Sequence, residues 1–170
     1  MKSKENIVFL GMMGSGKTSI GSIVSKKLNT DFIDVDKEIE KDLGMTISKI
    51  FENKGEKYFR EIEEATTLKI FKKSKIVISL GGGAFLNNKI KKEILENHIS
   101  FWLNWDIKTL INRIIKNQKR PIAFNASKNE LVEIIKKRSI VYSKAMYKVN
   151  CENLSKNQIV KDVLRIYEAH

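Results

Sequence analysis

The chain has 170 residues, 42% hydrophobic and 31% charged, a length and balance that suit one domain with a buried core. No stretch approaches the roughly 20 apolar residues of a membrane helix and the start carries no signal-peptide pattern, so a soluble, cytoplasmic protein with no membrane partner is expected. The single Cys151 and the two histidines exclude an intramolecular disulfide and a multi-cysteine zinc site. The net charge of +12 admits nucleic-acid binding, yet lysine supplies 27 of the 32 basic residues and arginine only five. Recognition of phosphates and bases draws on arginine forks, so most of this charge reads as solvated background.

Apolar runs at 7–10, 32–34, 76–79, 100–103 and 147–150 read as buried strands. Helical patterns fill 17–28, 37–42, 47–51, 56–71, 88–96, 107–116, 129–144 and 155–168. Such alternation predicts an α/β fold, a parallel sheet covered by helices on both faces. Residues 116–129 form a polar, patternless stretch long enough to need a functional explanation.

The first strand runs into Gly11-Met12-Met13-Gly14-Ser15-Gly16-Lys17-Thr18, the phosphate-loop pattern of Gly, four residues, then Gly-Lys-Ser/Thr. Its glycines let backbone N–H groups converge on phosphate oxygens, Lys17 and the following helix add positive charge, and Thr18 is placed to ligate magnesium. Gly14, Ser15, Gly16, Lys17, Thr18 and Ser19 are therefore the candidate nucleotide-binding residues. A GTPase would need Asn-Lys-X-Asp; the nearest string, Asn53-Lys54-Gly55-Glu56, ends in the wrong residue and lies too early.

The second strand ends in Asp34-Val35-Asp36, and carboxylates two residues apart on an extended segment share a side. At the carboxyl end of a strand beside the phosphate loop they would face the ligand crevice; the alternative is a strand end with Asp36 as a helix N-cap. Gly55, Phe59-Arg60, Glu63, then Gly81-Gly82-Gly83, Arg120-Pro121, and finally Arg138 and Tyr142 complete an ordered set.

In order and spacing this set closely resembles the shikimate kinase family, from about Ile7 to the last helix. The resemblance implies a three-layer α/β/α P-loop NTPase fold with a five-stranded parallel sheet. The chain would then be one kinase domain, with substrate-binding helices at about 37–72 and a lid at about 115–129. It also implies ATP-dependent phosphorylation of the 3-hydroxyl of shikimate, in the route to chorismate and the aromatic amino acids. Magnesium would be the cofactor, and the enzyme would be a monomer with no nucleic-acid partner.

Residue by residue, the resemblance makes Lys17, Asp36 and Arg120 catalytic. Asp36 positions the reacting hydroxyl first and takes its proton second, because an aspartate is a weak base at neutral pH. Arg120 is the lid arginine that closes over the phosphates. Arg113 matches the arginine packed on adenine, with an exposed helix cation as the plainer reading. Arg60 and Arg138 match a carboxylate clamp, a task that suits guanidinium forks. Glu63, one turn past Arg60, orients it or touches substrate. Gly82 and Gly83 would contact shikimate, while Gly81 is expected to be conformational. Asp34 would hold magnesium through water. Phe51 and Phe59 would wall the substrate ring or serve the core.

His98, His170, Trp102, Trp105 and Cys151 read as structural or incidental. Residues 151–154 should complete the adenine pocket, with no single residue singled out. Ile140 replaces a proline common in the family, and Lys144 falls where an acidic residue is usual nearby; both bear on lid and helix geometry. The alternatives are a related P-loop kinase for another hydroxy acid such as gluconate and, motivated only by the charge, a nucleotide-dependent nucleic-acid-binding protein. Residues 1–85 carry a net +3 and residues 86–170 a net +9.

Overall fold

The β-branched and aromatic runs become five short strands in the computed structural model, which describes residues 6–116 and 126–170. These are β1 (Ile7–Leu10), β2 (Phe32–Asp34), β3 (Val77–Ser79), β4 (Ile99–Asn104) and β5 (Tyr147–Asn150). They pair in the order β2-β3-β1-β4-β5, all parallel. Val8 in central β1 aligns with Ile78 on one side and Ser100 on the other.

Because successive residues of a strand face opposite ways, β1 feeds two cores. Ile7 and Phe9 join Ile20 and Val24 of α1 (Lys17–Lys27) and Ile159, Val160 and Val163 of α7 (Lys156–Glu168). Val8 and Leu10 join the other core. It is built by α2 (Val35–Leu43), α3 (Ile47–Ile70), α4 (Asn88–Asn97), α5 (Ile107–Lys116) and α6 (Lys128–Tyr142). The result is the expected three-layer α/β/α arrangement around a five-stranded parallel sheet. Fully buried Phe101 stacks on Phe9 at 5.8 Å and on Tyr147 at 5.3 Å. Truncating such a ring to Ala costs about 3–5 kcal/mol.

Helix starts show why the site lies where it does. Asp34, Thr46, Asn87, Ser127 and Ser155 each cap a helix by accepting a backbone N–H on the side-chain oxygen. The last two close reciprocal boxes with Glu130 and Gln158. Helix α1 begins instead at Gly16, with no side-chain cap and no acidic residue in its first turn. Its N–H groups and positive end are left directed into the cleft at the carboxyl end of β1.

Three local details refine the sequence reading. The N-cap at the second strand is Asp34, not Asp36, and α2 starts at Val35 rather than 37. The helices expected at 47–51 and 56–71 are both present, running together over Ile47–Ile70 with a kink between them where Gly55 takes the non-helical φ 81° and ψ 169°. A 3-10 turn, Ala84–Leu86, follows the triple glycine unannounced by any periodic pattern.

Candidate active site

The phosphate loop is bent by left-handed backbone at Gly11, Gly14 and Gly16, with φ of 141°, 77° and 91°. A side chain is strained there, and glycine meets the geometry at no steric cost. Lys17 is buried and folds back, its Nζ donating to the Gly11 and Met12 carbonyls at 2.9 Å each. Thr18 Oγ1 donates to Asp34 Oδ2 at 2.5 Å, so the two residues assigned to magnesium from sequence meet across the end of β2. Asp34 Oδ1 accepts from the Lys37 N–H at 3.2 Å, so one carboxylate both caps α2 and holds Thr18. A cleft of about 380 Å³ runs past Gly14, Lys17, Thr18, Asp34, Asp36 and Arg113.

A second cavity of about 420 Å³ opens on the other side of the loop, where Ser19, Trp105, Arg113 and Leu154 are among its walls. The Arg113 guanidinium lies 3.8 Å from the centre of the Trp105 ring and donates to the Gly14 carbonyl at 3.2 Å. Of residues 151–154, Leu154 lines this cavity, whereas buried Cys151 donates to the Val149 carbonyl. Trp105, read as structural or incidental from sequence, donates its indole N–H to the Ser15 carbonyl at 2.8 Å.

Opposite the phosphate loop, α2, α3 and α6 bring charged side chains to the turn after β3. Asp36 sits buried in the first turn of α2. On α3, Arg60 pairs with Glu63 through Nη1 at 2.7 Å and with exposed Glu56 at 3.2 Å. Burial pushes the Glu63 carboxyl above its usual value; Arg60 pulls it down and Asp36 raises it further. Burial also works against the charge of Arg60, but Glu63 and Glu56 outweigh it. On α6, Arg138 is buried with Nη1 4.0 Å from Met12 Sδ. The Tyr142 hydroxyl donates to the Gly82 carbonyl, and burial pushes its pKa up to about 12, so it remains a donor at neutral pH.

The triple glycine is where these groups converge. A Cβ on Gly81 would lie 2.7 Å from Glu63 Oε1 and 2.8 Å from Asp36 Oδ1. One on Gly83 would lie 2.5 Å from Arg60 Nη1, and one on Gly82 3.5 Å from Arg138 Nη1. Gly81 does not have positive φ, so the conformational role expected of it is replaced by a steric one. Phe59 is buried in the core with its ring 4.8 Å from that of half-buried Phe51, and Arg60 lies 5.2 Å from the Phe59 ring centre. Arg120 and most of the segment at about 115–129 lie outside the described residues.

A parallel sheet with a glycine-bent phosphate loop after its first strand, and a second charged crevice beside that loop, defines a P-loop kinase. The family model for shikimate kinase matches residues 13–168. A shikimate kinase from Bacillus subtilis is 43% identical over 163 residues, covering 92% of this chain and 85% of its own length. One from Thermodesulfovibrio yellowstonii is 37% identical over 96% of this chain and 95% of its own. The structure of shikimate kinase from Acinetobacter baumannii in complex with shikimate superposes with TM-score 0.91 at 26% identity, covering 99% and 95% of the two chains. That of a deoxyadenosine kinase from M. mycoides, at TM-score 0.64 and 20% identity, shares the fold alone. The chain belongs to the shikimate kinase family, a family of ATP-using enzymes. No helix among its described residues is long and apolar enough to cross a membrane.

Proposed function

We propose that this chain transfers the γ-phosphoryl group of ATP to the 3-hydroxyl of shikimate, giving shikimate 3-phosphate and ADP. The observation that carries this reading is the approach of two guanidinium groups, Arg60 from α3 and Arg138 from α6, to adjacent glycines beside the phosphate loop. Two planar forks at one turn suit a carboxylate held in fixed orientation, which lysine would not provide.

In this reading Gly14, Ser15, Gly16, Thr18 and Ser19 receive the phosphates, and Lys17 exchanges its loop carbonyls for phosphate oxygens. Glu63 keeps Arg60 extended, Gly82 and Gly83 let the substrate approach the backbone, and Asp36 orients the 3-hydroxyl. The hydroxyl oxygen bonds to the γ-phosphorus as the bridging bond to ADP breaks, and its proton passes to the Asp36 carboxylate late in the step. Arg113 packs on the base. The closing role of Arg120 over the phosphates rests on resemblance alone.

The donor set fits magnesium: two hard oxygens, Thr18 Oγ1 and Asp34 Oδ2, meet at the cleft and leave most coordination positions to phosphate and water. Thr18 would hold the ion directly and Asp34 through water, and bound there it would neutralise charge on the β- and γ-phosphates. A monomer in the cytoplasm, with ATP and shikimate as its partners and no nucleic acid, completes the proposal.

An acceptor panel tests it. ADP formation that depends on shikimate is expected, with little or none on gluconate or other hydroxy acids. Turnover with another acceptor and none with shikimate would overturn it. Oligonucleotide binding with a steep salt dependence would contradict the absence of a nucleic-acid partner.

A further inference from the structure

Trp105 stands at the junction of the nucleotide cleft, where three separate contacts meet. Its indole N–H donates to the Ser15 carbonyl at 2.8 Å, a partner 90 residues earlier in the chain. Its ring face lies 3.8 Å from the Arg113 guanidinium, close enough for a cation–π contact. Arg113 then returns to the same loop through the Gly14 carbonyl at 3.2 Å, and a Cβ on Gly14 would already meet Arg113 Cβ at 3.3 Å.

The ring itself is firmly based. Half-buried, Trp105 packs against both hydrophobic cores, so it is wedged between the two faces of the sheet. The segment that follows it is tied down as well: Glu152 accepts from the Asp106 N–H at 3.2 Å and from Thr109 Oγ1 at 3.1 Å. The cavity beside it is walled by Ser15, Trp105, Arg113 and Leu154 and is large enough for a purine base.

We propose that Trp105 is a positioning residue of the nucleotide site, joining the phosphate cradle to the base-facing arginine as one preorganised unit. Its N–H holds the Ser15 carbonyl away from the incoming phosphates, so the loop N–H groups remain directed inward. Its ring fixes the Arg113 guanidinium as a flat surface for the base. Binding then requires little reordering of either part. The proposal rests on the nucleotide half of the reading above and is indifferent to which acceptor is phosphorylated.

The test is direct ADP binding by titration calorimetry, without acceptor, for the wild type, Trp105→Phe and Trp105→Leu. The phenylalanine variant keeps a ring face and loses the N–H; the leucine variant loses both. ADP affinity is expected to fall about threefold to fivefold in the first and about tenfold or more in the second. The KM for shikimate should stay within about twofold of the wild type in both. Protein emission should change on ADP addition to the wild type, and that change should be much smaller in Trp105→Phe, where Trp102 is the remaining indole.

ADP affinities that do not differ among the three proteins would overturn the proposal. So would equal losses for ADP and shikimate accompanied by a lower melting temperature, the pattern of a merely structural residue. A wrong acceptor assignment would show differently, as intact ADP binding with no turnover of shikimate.

Discussion

Two glycine clusters lie side by side in the active site, at the ends of neighbouring strands, and their glycines meet different physical demands. In the phosphate loop Gly11, Gly14 and Gly16 all carry positive φ; a Cβ on Gly11 would also crowd the Leu103 carbonyl at 3.0 Å, whereas one on Gly16 would find nothing nearer than Ile20 Cγ1 at 3.9 Å, so there the backbone angle alone demands glycine. After β3, Gly81, Gly82 and Gly83 lack positive φ, but a Cβ on Gly81 or Gly83 would lie under 3 Å from a charged side-chain tip. The first cluster bends the chain so that its N–H groups become the ligand. The second removes bulk so that side chains from distant helices can become the ligand. The nucleotide half thus leans on loop backbone, supplemented by Lys17 and Thr18, and the acceptor half on guanidinium and carboxylate.

Substitutions can break this contrast, and the largest effect is expected on the side-chain half. Arg60→Lys keeps the charge and loses the fork, so kcat/KM for shikimate should fall by about 2–4 kcal/mol while ADP binding stays nearly intact. Unchanged kinetics would refute the clamp. Next comes Gly83→Ala, whose Cβ would displace the flexible end of Arg60 rather than backbone. The shikimate KM should rise about tenfold with less than about 1 kcal/mol lost in unfolding free energy. A large loss of stability with an unchanged KM would show that the close approach serves folding instead.

Gly16→Ala tests the backbone half, since it meets no steric obstacle but forces a side chain to φ 91°. A loss of about 1–2 kcal/mol in stability, together with weaker ADP binding, is expected from denaturant unfolding and calorimetry. Wild-type stability and affinity would place the contrast in doubt. The smallest effect concerns pH. Because burial raises the Glu63 carboxyl above its usual 4.5, its contribution to stability is full below 4.5 and is lost as pH rises through the folded value. Unfolding free energy measured against pH should therefore fall, relative to Glu63→Gln, across that window. A difference that rises with pH would mean the carboxyl is held below its usual value.

The two halves also differed in how much of them the sequence disclosed. The phosphate loop was legible because one contiguous motif follows a buried run and opens a helix, so local pattern and tertiary role coincide. Thr18 and Asp34 were both identified, and their meeting follows from parallel strands ending on one side of the sheet. The acceptor side was legible only as an ordered set, since Arg60 and Arg138 lie far apart and each alone resembles a surface cation. The roles of single atoms were not legible. Which aspartate capped α2 depended on where the first turn closed, and Asp34 rather than Asp36 took that place. Gly81 read as conformational because three glycines after a strand suggest a tight turn, and only the packed carboxylates beyond it reveal the steric demand. Trp105 carried no signal, because its partner is a backbone carbonyl on a loop remote in sequence.

A crystal structure with ADP and shikimate bound tests the division of labour most directly. The shikimate carboxylate is expected between the forks of Arg60 and Arg138, with its 3-hydroxyl at Asp36 and the ADP phosphates on the N–H groups from Gly14 to Thr18. A carboxylate bound away from both arginines, or a 3-hydroxyl turned from Asp36, would contradict it.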